Sequence, residues 1–129
     1  MDRTWLAIGS FSMFVAVAAG AFGAHALRDR LPAEFLSIFE VAARYQAYHA
    51  LALIGVAALA ERQGGPAVHA AGLAFAIGTV IFSGSLYALA LTGARWLGAI
   101  TPIGGVLFLL GWLTLLWHAV APSGRISAP

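Results

Sequence analysis

LGAITPIGGVLFLLGWLTLLWHA, residues 97–119, is the stretch that decides the fold most plainly. It contains no Asp, Glu, Lys or Arg. An α-helix needs roughly 20 mainly apolar residues to cross the hydrocarbon core of a bilayer, which is roughly 30 Å thick. The stretch meets that length, so it predicts a transmembrane helix.

The composition of the whole chain agrees with this prediction. Of its 129 residues, 61% are hydrophobic and only 9% are charged, and the mean hydropathy is +0.89. Soluble domains carry about 25% charged residues. Three further stretches are long and apolar enough to span a membrane, over about residues 4–27, 41–60 and 67–91.

These four spans predict one transmembrane domain over residues 1–122, followed by a flexible tail over residues 123–129. The first span could also be a cleaved signal peptide. The apolar region of such a peptide is about 7–15 residues long, and this run is longer, so we expect the span to be retained.

A short amphipathic segment, PAEFLSIFE, precedes the second span over residues 32–40. Pro32 suits the first turn of a helix, and Phe35, Leu36 and Phe39 would share one side of it. Glu40 could pair with Arg44 one turn later. The predicted fold is therefore all-α, a four-helix transmembrane bundle with a short interfacial helix between spans one and two.

Basic residues near the span ends predict the orientation, because cytoplasmic loops are enriched in them. The side with both termini and the second loop has three, and the opposite side has four: Arg3, Arg62 and Arg125 against Arg28, Arg30, Arg44 and Arg95. This excess of one favours both termini on the non-cytoplasmic side of a multi-pass protein.

Polar residues of all four spans fall at a similar depth when positions are counted from the helix ends at 1.5 Å per residue. They lie in the half of the bilayer near the first and third loops. The candidate cluster comprises His25, Tyr45, Gln46, His49, Ser83, Ser85, Tyr87 and Thr101. On span two, Tyr45, Gln46 and His49 are spaced to share a helix face.

Two interpretations of this cluster remain open. Its members could hydrogen-bond across helices and fix their packing, as polar groups in membranes often do. Alternatively, they could form a binding pocket or a proton-accessible site, chiefly through His25 and His49, since ionisable groups within membranes are functional candidates.

Small residues predict close helix packing. Ser12, Ala16, Gly20 and Ala24 recur every four residues, and Gly84 continues a similar pattern in span three. Gly104 would also allow close approach. Pro102 lies inside span four and should open or kink its first turn.

Several classes of chemistry find no support in the sequence. The chain has no Cys and no run of basic residues, so neither thiolate sites nor nucleic-acid binding is expected. His69 and His118 lie on the opposite side from His25 and His49, so we expect no metal and no cofactor. No catalytic motif is present, and the predicted protein is not an enzyme.

Four motifs in order carry a family resemblance: GAFGAHAL (20–27), YQAYHALAL (45–53), FSGSLY (82–87) and TPIGG (101–105) followed by GW (111–112). The chain resembles the DUF423 family of small bacterial membrane proteins, which is similar to the transmembrane protein 256 family. The resemblance implies a four-helix protein of the bacterial inner membrane and supplies no catalytic residue. Its motif positions are His25, Tyr45, Gln46, His49, Ser83, Gly84, Ser85, Tyr87, Thr101, Pro102 and Gly104.

The sequence therefore predicts a non-enzymatic structural or accessory membrane protein. The alternative is a small-ligand or proton-conducting protein with a site around His25 and His49, formed in an oligomer. Its expected partners are the lipid bilayer and either further copies of itself or a larger membrane complex.

Overall fold

The structure is a computed structural model that describes residues 1–122, and the predicted flexible tail over residues 123–129 lies outside them. The order of elements is α1 (Arg3–His25), α2 (Ala33–Gln63), α3 (Pro66–Thr92), a 3-10 turn (Arg95–Ala99) and α4 (Thr101–Val120). No strand occurs in residues 1–122. The all-α prediction is confirmed.

The helix ends follow from local chemistry. The Asp2 carboxylate accepts hydrogen bonds from the backbone N–H groups of Thr4 and Trp5, at 3.0 and 3.2 Å, and so caps α1. Gly93, with φ 73°, ends α3 in the left-handed conformation that glycine adopts without strain. Pro102 lies in the first turn of α4, where proline is well tolerated, so the predicted kink is replaced by a helix start.

The predicted interfacial helix is not a separate element. Residues 33–40 form the first turns of α2, which continues without a break to Gln63. The physical reason is the absence of a breaker at the expected junction: Glu40, Val41 and Ala42 all continue a helix. Pro32 stands just before the helix, where it ends the preceding loop.

Helix packing follows chain order, with α1 against α2, α2 against α3, and α3 against α4. The central pair is therefore α2 and α3, which also contain most of the buried positions. The main core cluster consists of Trp5, Leu53, Val56, Ala57, Val68, Ala71, Phe75 and Phe108.

Helices α1 and α3, and the segment Arg95–Val120 that includes α4, are long and apolar enough to cross a membrane. Large apolar side chains cover the outer faces of α1 and α4, among them Phe11, Phe14, Leu109 and Leu113. Exposed apolar surface of this extent is unusual for a soluble monomer and suits contact with lipid.

The close contacts between helices involve only some of the predicted small residues. Gly20, Ala24 and Gly84 are exposed, and a Cβ atom added at Gly20 or Gly84 would meet nothing within 4 Å. These three residues therefore do not line helix contacts. On α1, only the earlier members of the four-residue pattern, Ser12 and Ala16, are in contact with α2 or buried.

At Gly104, by contrast, an added Cβ would lie 2.5 Å from the backbone nitrogen of Phe82, so α3 and α4 touch there. An added Cβ at Gly72, Gly78 or Gly111 would lie 2.6–2.8 Å from an aromatic ring, and of these three the four-residue spacing singles out only Gly72. Their partners are the rings of Trp5, Phe108 and Phe75, respectively.

Candidate functional site

His49 is the centre of a densely packed group on the side of α2 that faces α4. Its ring lies parallel to that of Phe108, with 3.5 Å between centroids and 4° between planes. The rings of Phe75 and Trp112 pack at 5.5 and 6.1 Å. We call His49, Phe75, Phe108 and Trp112 the aromatic centre.

Both ring nitrogens of His49 are engaged in hydrogen bonds. Nδ1 lies 2.8 Å from the carbonyl oxygen of Tyr45, which can only accept, so Nδ1 carries the proton. Nε2 accepts from the indole N–H of Trp112 at 3.2 Å. This pattern requires the uncharged imidazole, and it leaves neither ring nitrogen available to a ligand.

Gln46 faces the other neighbour of α2. Its Nε2 lies 3.3 Å from the carbonyl oxygen and 3.5 Å from the hydroxyl oxygen of Ser12 on α1. Its Oε1 accepts a hydrogen bond of 2.7 Å from the Tyr87 hydroxyl on α3. One carboxamide therefore connects three helices.

The serines and the threonine of the candidate cluster form two separate contacts. The Ser83 hydroxyl donates to the carbonyl of Ala42 at 2.8 Å and so joins α3 to α2. Ser85 and Thr101 share a hydrogen bond of 2.6 Å between α3 and the start of α4. Both contacts are buried.

The side chains of His25 and Tyr45 take no part in these hydrogen bonds. His25 is exposed at the last turn of α1. Tyr45 is 39% exposed, and its ring packs on Phe82 at 4.9 Å. Its backbone carbonyl, rather than its side chain, receives the bond from His49.

The candidate residues are thus divided among several helix contacts rather than gathered in one cluster. The expectation that Tyr45, Gln46 and His49 share one face is corrected by their partners. Because α2 is central, Gln46 reaches α1 while His49, three residues later, reaches α4. Counting along a helix predicts depth, but it does not predict which neighbour each side meets.

A cleft of about 360 Å³ lies between α1 and α3, with α2 as its floor. We call it the α1–α3 cleft. It is lined by Ile8, Phe11, Ser12, Val15, Gln46, Leu53, Ala76, Thr79, Val80, Ser83, Gly84 and Tyr87. Within residues 1–122 the Thr79 hydroxyl is buried without a hydrogen-bond partner.

The sequence patterns did not indicate several of the residues in these contacts. Ser12 was read only as a small packing residue, and Thr79 and Phe108 were not singled out. A second Trp–His pair also escaped notice: the indole N–H of Trp5 donates to Nδ1 of His69 at 2.9 Å. An available signal was that every tryptophan carries one N–H donor that needs an acceptor when the ring is buried.

The ion pairs of the described residues lie near the helix ends. Arg95 donates to both oxygens of Glu34, at 2.8 and 3.2 Å, and the N-terminal ammonium pairs with Glu61. The Arg95 guanidinium lowers the pKa of the Glu34 carboxyl by hydrogen bonding and by its charge. The expected pair of Glu40 with Arg44 is not formed in residues 1–122.

No three His, Asp or Glu side chains come together as a metal site in the part of the chain that the structure describes. The buried contacts of His49, Ser83, Ser85 and Thr101 join carbonyl, hydroxyl, imidazole and indole groups, and none of them pairs a nucleophile with a base. The arrangement can hold helices together and can offer neutral hydrogen-bond donors.

A helical chain with lipid-facing outer surfaces and buried neutral polar contacts is an integral membrane protein. In a comparison with known families, the family described as Protein of unknown function (DUF423) matches residues 19–105. The chain belongs to this family.

Several proteins that are named as membrane proteins match this chain over most of their length. The UPF0382 membrane protein of Staphylococcus epidermidis (strain ATCC 12228) is 49% identical over 114 residues, which cover 88% of this chain and 93% of the relative. UPF0382 membrane protein YwdK of Bacillus subtilis is 41% identical over 119 residues, which cover 92% of this chain and 97% of the relative.

The UPF0382 inner membrane protein YgdD of Escherichia coli (strain K12) is 41% identical over 119 residues, which cover 92% of this chain and 91% of the relative. No solved structure matches the chain.

Proposed function

We propose that this protein is a four-span, non-enzymatic structural or accessory protein of the bacterial inner membrane, with its buried polar groups acting as contacts between helices. The observation that carries this proposal is the geometry of His49. Both of its ring nitrogens are bonded to protein atoms, its ring is stacked on that of Phe108, and Phe75 and Trp112 pack against it. A residue held in this way stabilises the bundle and is closed to solutes.

The proposal includes α2 as the fourth span. Its mean hydropathy is lowered by residues such as Gln46 and His49, but these two side chains are buried against neighbouring helices rather than lipid. Helix α2 is also 31 residues long, which exceeds the roughly 20 residues that a span requires.

A topology experiment tests the fourth span. Four spans place both termini on the same side of the membrane, and three spans place them on opposite sides. We expect reporters fused before Met1 and after Pro129 to show that both termini lie on the non-cytoplasmic side of the membrane. A cysteine introduced at Gly64, in the turn between α2 and α3, should be labelled from that side as well. Termini on opposite sides would refute the four-span topology.

The packing role of His49 is tested by two substitutions with different hydrogen-bonding capacity. His49→Gln retains a donor and an acceptor, whereas His49→Leu retains only volume. We expect His49→Leu to lower the free energy of unfolding in bicelles by about 1–2 kcal/mol, with His49→Gln losing less than half of that.

His25 supplies the matched control, because it is an exposed histidine with no hydrogen bond to other residues in the described chain. His25→Leu should leave the unfolding free energy unchanged. An unchanged stability in His49→Leu would refute the packing role. A ligand or proton site centred on His25 and His49 has less support, since one of the two is exposed and the other is fully bonded.

An accessory role implies a stable assembly, either of copies of this chain or with a larger membrane complex. Light scattering of the protein extracted in a mild detergent measures the mass of that assembly. A mass equal to one chain, with no second component, would refute the accessory role and leave a purely structural monomer.

A further inference from the structure

We propose that the α1–α3 cleft binds an uncharged lipid-soluble molecule through a carbonyl oxygen, with isoprenoid quinones as the ligand class that fits best. This site is separate from the aromatic centre, so it does not depend on the packing role proposed for His49. The inference rests on the polar floor of the cleft, its depth in the bilayer, and its size.

The floor offers hydrogen-bond donors that the protein itself satisfies poorly. Gln46 is 8% exposed, and its amide nitrogen is 3.3 Å or more from both of its acceptors, beyond the usual 2.7–3.2 Å for N–H···O bonds. Thr79 is also 8% exposed; its hydroxyl oxygen has less than 1 Å² of accessible surface and no partner within residues 1–122, so it lies just beneath the surface of the cleft.

Such groups are costly in a membrane, because no water is present to complete their hydrogen bonds. An oxygen that only accepts hydrogen bonds, as a carbonyl does, complements donors from Gln46, Thr79 and Ser12. A ligand with this oxygen would therefore satisfy groups that the folded chain leaves weakly bonded.

The depth of the floor selects among lipid-soluble molecules. Thr79 is the central residue of α3 and lies about 20 Å from each helix end at 1.5 Å per residue. Gln46 bonds to Ser12 near the middle of α1. Phospholipid headgroups and ionised fatty acids stay at the bilayer surface, where their charges are hydrated, so neither would place its polar group here.

The residues lining the cleft include no Asp, Glu, Lys, Arg or His, so nothing in it would compensate a charged ligand. Its walls are the apolar side chains of Ile8, Phe11, Val15 and Val80, the last of which is 73% exposed on the lipid-facing surface. The volume of about 360 Å³ is at the small end of the range for small-molecule sites, roughly 300–1,000 Å³. These features suit a neutral ring with a hydrocarbon chain that continues into the lipid.

Gly84 offers a way to fill the cleft without disturbing the helices. It lines the cleft, and an added Cβ meets no atom within 4 Å. Gly20 is an equally open and exposed helix glycine on α1, and it does not line the cleft, so it provides a matched control.

The experiment measures binding of a tritiated benzoquinone with one isoprenoid unit to the full-length protein in nanodiscs, with empty nanodiscs subtracted. We expect saturable binding that Gly84→Leu weakens by at least about tenfold, because the new side chain occupies the ligand volume. Gly20→Leu should bind the probe as the unsubstituted protein does. Thr79→Val, which keeps the shape and removes the hydroxyl, should weaken binding roughly three- to tenfold.

Unfolding midpoints of all three variants confirm that each one is folded before binding is compared. Absence of saturable binding to the unsubstituted protein, or equal binding by Gly84→Leu, would overturn the proposal. A second arm identifies co-purified lipids by mass spectrometry. A phospholipid that is retained at one per chain and lost in Gly84→Leu, with no quinone binding, would also overturn it.

Discussion

The two sides of α2 differ in how completely they are filled. On the side facing α4, His49 packs against Phe75, Phe108 and Trp112, and each of its ring nitrogens has one partner, at 2.8 and 3.2 Å. On the side facing α1, Gln46 accepts a bond of 2.7 Å from Tyr87, but its amide nitrogen lies 3.3 Å or more from its acceptors and borders the α1–α3 cleft. The two residues are only three positions apart on one helix.

This difference shows that buried polar groups of one helix can serve different purposes. Aromatic rings fill the space around His49 and hold its side chain in one position, which stabilises the fold. On the second side, Gly84 and Ala76 are too small to fill the space above the floor, and a cleft remains. A leucine introduced on one side should therefore change the free energy of unfolding far more than a leucine introduced on the other.

The largest effect is expected when leucine replaces glycine on the filled side. In Gly104→Leu, the new Cβ would meet the backbone of Phe82 at 2.5 Å, and the backbone cannot move aside without separating α3 from α4. We expect a loss of about 3 kcal/mol or more in the free energy of unfolding. Steric-trap unfolding in bicelles measures it.

Gly84→Leu is the matched comparison on the cleft side and should leave that free energy unchanged or slightly raised, since leucine favours helix more than glycine does. Equal losses in the two variants would contradict the distinction between a filled side and an open side.

A smaller effect is expected when the aromatic centre loses one donor. Trp112→Phe removes the N–H that bonds Nε2 of His49 and leaves that nitrogen buried without a partner. We expect a loss of about 1–2 kcal/mol. Trp117→Phe controls for the change in ring size. Because Trp117 is 69% exposed, this substitution should change the free energy of unfolding little. If both variants lose the same stability, the hydrogen bond to His49 contributes nothing.

Removal of one donor on the cleft side should cost less. Tyr87→Phe deletes the hydroxyl that bonds Oε1 of Gln46 and leaves the ring packed on Phe39 at 4.9 Å. Because hydrogen bonds between membrane helices average only about 0.6 kcal/mol, we expect a loss near that value. The same unfolding measurement compares it with Trp112→Phe, and a larger loss in Tyr87→Phe would reverse the proposed ranking of the two sides.

The smallest effect is expected from the exposed ion pair of Glu34 with Arg95, whose side chains are 57% and 68% exposed. The pKa of Glu34 is lowered in the folded protein, so the pair stabilises the fold above the ordinary carboxyl pKa of roughly 4.3. That stabilisation is lost as the pH falls through the lowered pKa. Exposed pairs contribute little, so the change in unfolding midpoint should be small.

Unfolding midpoints in detergent between pH 6 and pH 3 test this pH dependence. Glu34→Gln should flatten the decline that the unsubstituted protein shows on acidification. Glu40→Gln should retain it, because Glu40 is in no ion pair within residues 1–122. A decline of unchanged size in Glu34→Gln would show that the pair does not contribute.

Much of the fold could be predicted from the sequence because span length and composition are properties of single segments. The four helices were found near their predicted positions, and Gly93 and Pro66 mark helix ends as their chemistry requires. The continuity of α2 was missed, since an amphipathic segment and an apolar one read as two elements even where no breaker separates them.

Counting along the helices grouped the candidate polar residues but did not predict their hydrogen-bond partners. Counting residues placed Gln46, Ser85 and Thr101 in the same half of the bilayer, and the structure bonds Ser85 to Thr101. The same count could not tell that Gln46 and His49 would meet different helices, or that Gly84 would face open space while Gly104 touches a backbone.

The sequence by itself determined that this chain enters a membrane and that it does so as helices. These properties depend on transfer from water to hydrocarbon and on distance along one helix axis, and both can be read from residues in order. Only the tertiary structure decided which side of α2 is filled and which is open. That outcome depends on how each helix is rotated about its axis, which is set by side chains on neighbouring helices that are distant in the sequence.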